Sequence, residues 1–91
     1  MSANNQTLIK EYKGKWYVFP NLMAESWDYF DNSGVNALPL KNAAGVYNSR
    51  DEAYQSALEL DAKCGEFGEG TEYGVQFNRL CKDNAEVKII E

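Results

Sequence analysis

"NSRDEAYQSALELDAKCG", Asn48 to Gly65, decides the fold class, because its start, period and stop agree on one element. Ser49 followed by Glu52 fits a capping box, in which hydroxyl and carboxylate reciprocally satisfy backbone N–H groups that a first helical turn leaves unpaired. Ala53, Ala57, Leu60 and Cys64 recur at helical spacing, and Tyr54 and Leu58 widen the apolar stripe. Gly65 is placed to end the helix in a left-handed conformation. The pattern predicts a helix over about 50–64 packed on a sheet, with the alanines allowing close approach.

The sheet is read from the flanks. "LIKEYKGKWYVF", Leu8 to Phe19, is a hairpin: Leu8 to Tyr12, a turn at Lys13-Gly14, then Lys15 to Phe19, with Pro20 unable to continue a central strand. Trp16 and Val18 face one side, Tyr17 and Phe19 the other. "VNALPLKNAAG", Val35 to Gly45, suggests a short extended piece and then a helical turn that Gly45 ends. "GEFGEG", Gly65 to Gly70, reads as a mobile surface connection. In "TEYGVQFNRLCKDNAEVKIIE", Tyr73, Val75 and Phe77 share one face, and Ala85, Val87 and Ile89 share one face of a returning strand after a turn at Lys82-Asp83-Asn84.

The expectation is an α+β fold, a small antiparallel sheet of about four strands in two hairpins, packed against one main helix and a shorter helical element. A chain of 91 residues with 44% apolar content suits a single core. Residues 8–91 are therefore read as one domain, and the polar residues 1–7 as a flexible terminus rather than a signal peptide.

The shorter element is "NLMAESWDYFDNSG", Asn21 to Gly34. With Asn21 as a cap, Met23, Trp27 and Phe30 fall on one helical face and Glu25 and Asp28 on the other. Two readings stay open. Trp27 and Phe30 can complete the core, or the segment can present Tyr29 among Glu25, Asp28 and Asp31 as an interaction surface.

Nine basic against fourteen acidic residues give a net charge of −5. Nucleic acid is a poor direct partner for such a chain, since phosphate binding needs clustered Lys or Arg, and anionic membranes are disfavoured for the same reason. No apolar run approaches the length of a membrane span. The expected compartment is a reducing cytoplasm, in which Cys64 and Cys81, at a spacing that matches no zinc or redox motif, are free thiols. Acidity serves solubility in the plainest reading, and in the functional one it steers a basic partner.

Catalysis is better excluded than found. The chain has no histidine, which removes Ser-His and Cys-His activation and the commonest transition-metal ligand. "GEFGEG" lacks the spacing and lysine of a phosphate loop, and "DYFDNSG" lacks the alternating oxygen ligands and distal glutamate of a calcium loop. Cys81 on a strand is a small apolar residue unless a base or positive field makes it a thiolate. No cofactor, metal or catalytic residue is expected.

"GKWYVF", "ESWDYFD" and "TEYGVQFNRLCKDNAEVKI" together resemble the small accessory proteins that tailed bacteriophages encode, in which a short α+β domain ends on such a hairpin. The likeness covers most of the chain and lies in layout rather than in a motif, so no functional residue is carried over. It implies host takeover or counter-defence in the host cytoplasm, where small acidic phage proteins, anti-CRISPR proteins among them, bind host machinery.

The function expected is a non-enzymatic acidic protein-binding module, an inhibitor that occupies a basic surface of a host protein, including a nucleic-acid-binding one. Two acidic patches are candidates: Glu25, Asp28 and Asp31 beside Tyr29, and Glu66, Glu69 and Glu72 through the glycine-rich loop. Failing both, the interface is expected on a sheet face around Tyr17 and Phe19. The alternative function is a small-ligand or nucleotide-binding domain that stacks its ligand on Tyr12, Tyr17 and Tyr73; an enzyme ranks third.

Overall fold

The computed structural model describes residues 5–23, 37–64, 70–80 and 85–91. Strand β1 (Asn5–Tyr12) turns at Lys13-Gly14 into β2 (Lys15–Met23). Lys13 and Gly14 have φ of 50° and 82°, and two consecutive positive φ values give the turn a twist that matches its strands. The register is Ile9 opposite Val18 and Leu8 opposite Phe19, so the hairpin is the one the sequence predicts.

Its far end departs from expectation. Beyond Leu8 the pairing shifts to Gln6 opposite Leu22, so Pro20 and Asn21 together face Thr7 in a bulge. Pro20 is tolerated there because the ladder is already interrupted, and β2 runs on to Met23 instead of stopping. Asn21, at φ 55°, accepts a hydrogen bond from Asn5 Nδ2 at 2.8 Å. Residues 5–7 are consequently not part of a flexible terminus: Asn5, Gln6 and Thr7 are buried in β1, and Gln6 Nε2 donates to the Arg79 carbonyl at 2.8 Å. Their polar groups are paired, as burial requires.

The rest of the chain is built around this hairpin. After β3 (Ala37–Pro39) a 3-10 turn, Leu40–Asn42, leads to β4 (Gly45–Tyr47), then helix α1 (Arg50–Ala62), β5 (Val75–Phe77), β6 (Arg79–Leu80), β7 (Ala85–Glu86) and β8 (Lys88–Ile90). Gly45 thus opens a strand instead of ending the helical turn. A Cβ at Gly45 would meet the Tyr47 hydroxyl at 2.6 Å, so any other residue there would displace the Tyr47 ring.

The main sheet has the order β4-β2-β1-β5, antiparallel except for the parallel β1–β5 pair. The second predicted hairpin exists only as the short β6–β7 pair. β5 instead joins β1, and β8 pairs in parallel with β3.

Both faces of the sheet are covered. Ile9 and Val18 pack on Ala53 and Ala57 of α1, with Trp16, Leu60, Val75 and Phe77 around them. On the other face Leu8, Phe19 and Leu22 pack on Leu38 and Ile89 of the β3–β8 pair and on Val87, just before β8. The alternation of Trp16 and Val18 against Tyr17 and Phe19 holds. The exposed face expected around Tyr17 and Phe19 does not, since Phe19 is 1% accessible. Among the described residues no helix is long and apolar enough to cross a membrane.

Candidate functional site: the outer face of the helix

α1 starts where the sequence places it. Ser49 is the N-cap, and its Oγ accepts the Glu52 backbone N–H at 3.2 Å. Asp51 and Glu52 lie in the first turn, where carboxylates complement the positive end of the helix. The helix ends at Ala62, two residues earlier than predicted, with the Lys63 N–H donating to the Leu60 carbonyl at 3.2 Å and the Cys64 N–H to the Asp61 carbonyl at 3.0 Å. Gly65, the predicted terminator, lies outside the described residues.

Two contacts fix the buried side at its middle and far end. Tyr47 OH and Ser56 Oγ are hydrogen-bonded. Asp61 Oδ1 accepts from Thr7 Oγ1 at 2.8 Å and from Thr71 Oγ1 at 2.5 Å, so one carboxylate joins helix, β1 and the segment before β5. Gly70, at φ 88°, leaves room for it, because a Cβ there would come within 2.9 Å of Asp61 Oδ2.

Tyr54 and Leu58 are not part of the buried stripe. They are 37% and 41% accessible, whereas Ala53 and Ala57 are fully buried. Alanine against the sheet brings the helix axis close and leaves little width for larger side chains beside it. At about 100° per residue Leu58 sits roughly 130° around the helix from the centre of the Ala53, Ala57, Leu60 stripe, a displacement the sequence already contained. Counting both residues into one broad stripe concealed it.

The exposed pair sits on a structured base. Tyr54 stacks on Phe77 at 5.9 Å and 21°, the Arg50 guanidinium lies over the same Phe77 ring at 4.2 Å, and Trp16 meets Phe77 edge-on at 6.5 Å. Asp51, Glu52, Gln55 and Glu59 are exposed on the adjoining helix surface. Asp51, three positions before Tyr54, and Arg50, four before it, are its neighbours on the helix surface, whereas Glu52 and Glu59 lie further round. The result is a held aromatic ring and an exposed leucine, with Asp51 and Arg50 at one end of the pair.

The residues singled out from sequence fall elsewhere. Glu25, Asp28, Tyr29, Asp31, Glu66 and Glu69 lie outside the described residues, as does the segment carrying Trp27 and Phe30. Glu72 is exposed, and its backbone N–H donates to Asn5 Oδ1 at 2.8 Å. Tyr12 and Tyr17 meet edge-on at 6.4 Å, but the Tyr73 N–H bonds the Asn5 carbonyl, at the opposite end of β1 from Tyr12. Seven residues of strand separate those ends, roughly 23 Å, so the three tyrosines do not form one stacking platform.

Cys64 is a free thiol whose Sγ lies 3.4 Å from the Leu60 carbonyl. Burial, and then the Asp61 charge, push the thiol up from its ordinary value, the reverse of what activates a nucleophile. Cys81 lies outside the described residues. Among the described residues no group of three or more Cys, Asp or Glu is placed to hold a metal ion. Comparison with family models, curated proteins and solved structures finds no match to this chain.

Proposed function

We propose that the chain is a non-enzymatic binding protein that docks on a basic surface of a partner protein through the outer face of α1. One observation carries this: Tyr54 and Leu58 are exposed on a helix whose buried residues are Ala53 and Ala57, with Asp51 one turn before Tyr54 on an outer surface that also carries Glu52 and Glu59. Aromatic side chains that are already immobilised make good interface anchors, because less side-chain freedom is lost on binding. The surrounding charge favours encounter with a positive surface. A second copy of this chain is a poor occupant, as it would set Asp51, Glu52 and Glu59 against their own kind.

The resemblance to phage accessory proteins gives the proposal its setting. The partner would be a host factor or defence component with a basic groove, such as a nucleic-acid-binding protein, and the activity would be inhibition by occupancy in the host cytoplasm.

The test is a nuclease-treated pull-down from bacterial lysate, run in parallel with the wild-type chain and with an Asp51→Lys, Glu52→Lys, Glu59→Lys variant. Retention of one stoichiometric protein by the wild type and its loss in the variant, at near-equal melting temperature, is the expected result. Equal retention by both would place the interface elsewhere.

A further inference from the structure

We infer that the partner is held as an added strand: an extended segment of it pairs with the outer edge of β5 and sets apolar side chains against Tyr54 and Leu58, an inference that rests on α1 being the docking surface. β5 ends the main sheet, and among the described residues no strand pairs with its outer side. It runs parallel to β1 with Gln76 opposite Leu8. The Thr7 N–H donates to the Gly74 carbonyl and the Asn78 N–H to the Ile9 carbonyl, both at 2.9 Å. In a parallel ladder such bonds engage every second residue of a strand, so Gly74, Gln76 and Asn78 face β1. The N–H and C=O groups of Val75 and Phe77 therefore point away from it. A row of donors and acceptors at strand spacing is matched by another extended backbone.

The exposed residues of α1 stand over this edge and not over the opposite one. Tyr54 stacks on Phe77 of β5, and Asp61 bonds Thr71 just before β5, whereas Ser56 is hydrogen-bonded to Tyr47 of β4 on the other flank. Leu58 lies one turn beyond Tyr54 on the β5 side. A strand laid along β5 would turn every second side chain toward α1, where Tyr54 and Leu58 are 37% and 41% accessible. Apolar residues suit those positions. Basic residues at the others suit the net charge of −5.

The first measurement is amide hydrogen exchange on the free full chain. Val75 and Phe77 should exchange much faster than Gln76 and Asn78, whose N–H groups are bonded to β1. Equal protection of all four would show the edge already paired and overturn the inference. The second measurement titrates a short peptide of alternating lysine and valine into the labelled chain. Binding should shift the amides of Tyr54 and Leu58 together with those of Val75 and Phe77, and slow exchange at the latter two. Peptides N-methylated on the valines alone or on the lysines alone each lose the N–H row of one edge while keeping their charge. One of them should bind about tenfold or more weakly, the cost of lost main-chain hydrogen bonds, and the other should bind as the parent does.

Equal affinity of the two N-methylated peptides, with shifts along α1 and none at Val75 or Phe77, would overturn strand addition and leave the docking face standing. Absence of parent-peptide binding at both α1 and β5 would overturn both.

Discussion

Ala53 and Ala57 on the inner side of α1 and Tyr54 and Leu58 on its outer side invert the usual order, in which the large apolar residues of a helix are buried and the small ones are left in water. The inner pair is what a close helix-to-sheet contact needs. Of the outer pair Tyr54 stacks on Phe77, while Leu58 stays 41% accessible although fully burying a leucine is worth about 1.5–3 kcal/mol. Leu58 in particular leaves much of its apolar surface in water, where a polar residue would serve a mere cover equally well. The difference separates residues that hold the fold from residues available to a partner.

The largest effect is expected on the inner side. Ala57→Arg places an unpaired charge and excess volume between Ile9 and Val18 of the sheet and the helix, and should cost about 3 kcal/mol or more in chemical denaturation. A near-normal midpoint would break the inner half of the comparison.

Asp61→Ala should follow, at about 2 kcal/mol, because it leaves the Thr7 hydroxyl, and that of Thr71, without their shared acceptor in a mostly buried setting. Asp61→Asn, which keeps an acceptor oxygen, should recover part of the loss.

On the outer side Leu58→Gln should change stability by only about 0.5 kcal/mol, the range of ordinary surface substitutions. A loss as large as that of Ala57→Arg would show that Leu58 belongs to the core and that the two sides do not differ.

The smallest effect belongs to a contact wholly in water. Lys13 Nζ lies 2.8 Å from Glu91 Oε2, and Tyr12 OH donates to the same oxygen at 3.0 Å. The hydrogen bond from Lys13, then that from Tyr12, hold the Glu91 carboxyl below its ordinary value. A depressed folded value means that the contact contributes at pH above the unfolded value and is lost as pH falls through the folded one. Lys13→Gln should therefore raise the Glu91 midpoint in a carboxyl-carbon titration while leaving the melting temperature at neutral pH unchanged.

What the sequence disclosed was local. Lys13-Gly14 and Ser49 announce the hairpin turn and the helix start because turn and cap chemistry operate over a few residues. The alternation that places Val75 with Phe77 and Val87 with Ile89 also gave usable faces. The partners of those strands were not legible. The pairings of Thr7 with Val75 and of Ala37 with Lys88 are parallel and join distant stretches, and such ladders carry no turn signature between them.

The bulge at Pro20 was hidden for a related reason, since it depends on Thr7 across the ladder and not on the neighbours of Pro20. As for the candidate site, the helix was placed at the right residues, but Tyr54 and Leu58 were counted into its buried stripe and the binding surface was sought instead at Glu25, Asp28, Tyr29 and Asp31 or at Glu66, Glu69 and Glu72. Stripe width depends on how closely the helix approaches the sheet. The signal was the alanine content of the stripe, which implied a narrow contact and hence an outward Tyr54 and Leu58.

The most direct test of the outer face as a binding surface is to map, by amide chemical shifts, where a basic peptide carrying both lysine and arginine touches the intact chain. The largest perturbations should cluster along the exposed side of α1 from Asp51 to Glu59, fade with added salt as screened charges would, and leave the amides of Leu8 and Phe19 on the far side of the sheet unmoved. Perturbations centred away from α1, or spread evenly over every acidic residue, would contradict a dedicated surface and reduce Tyr54 and Leu58 to incidental exposure.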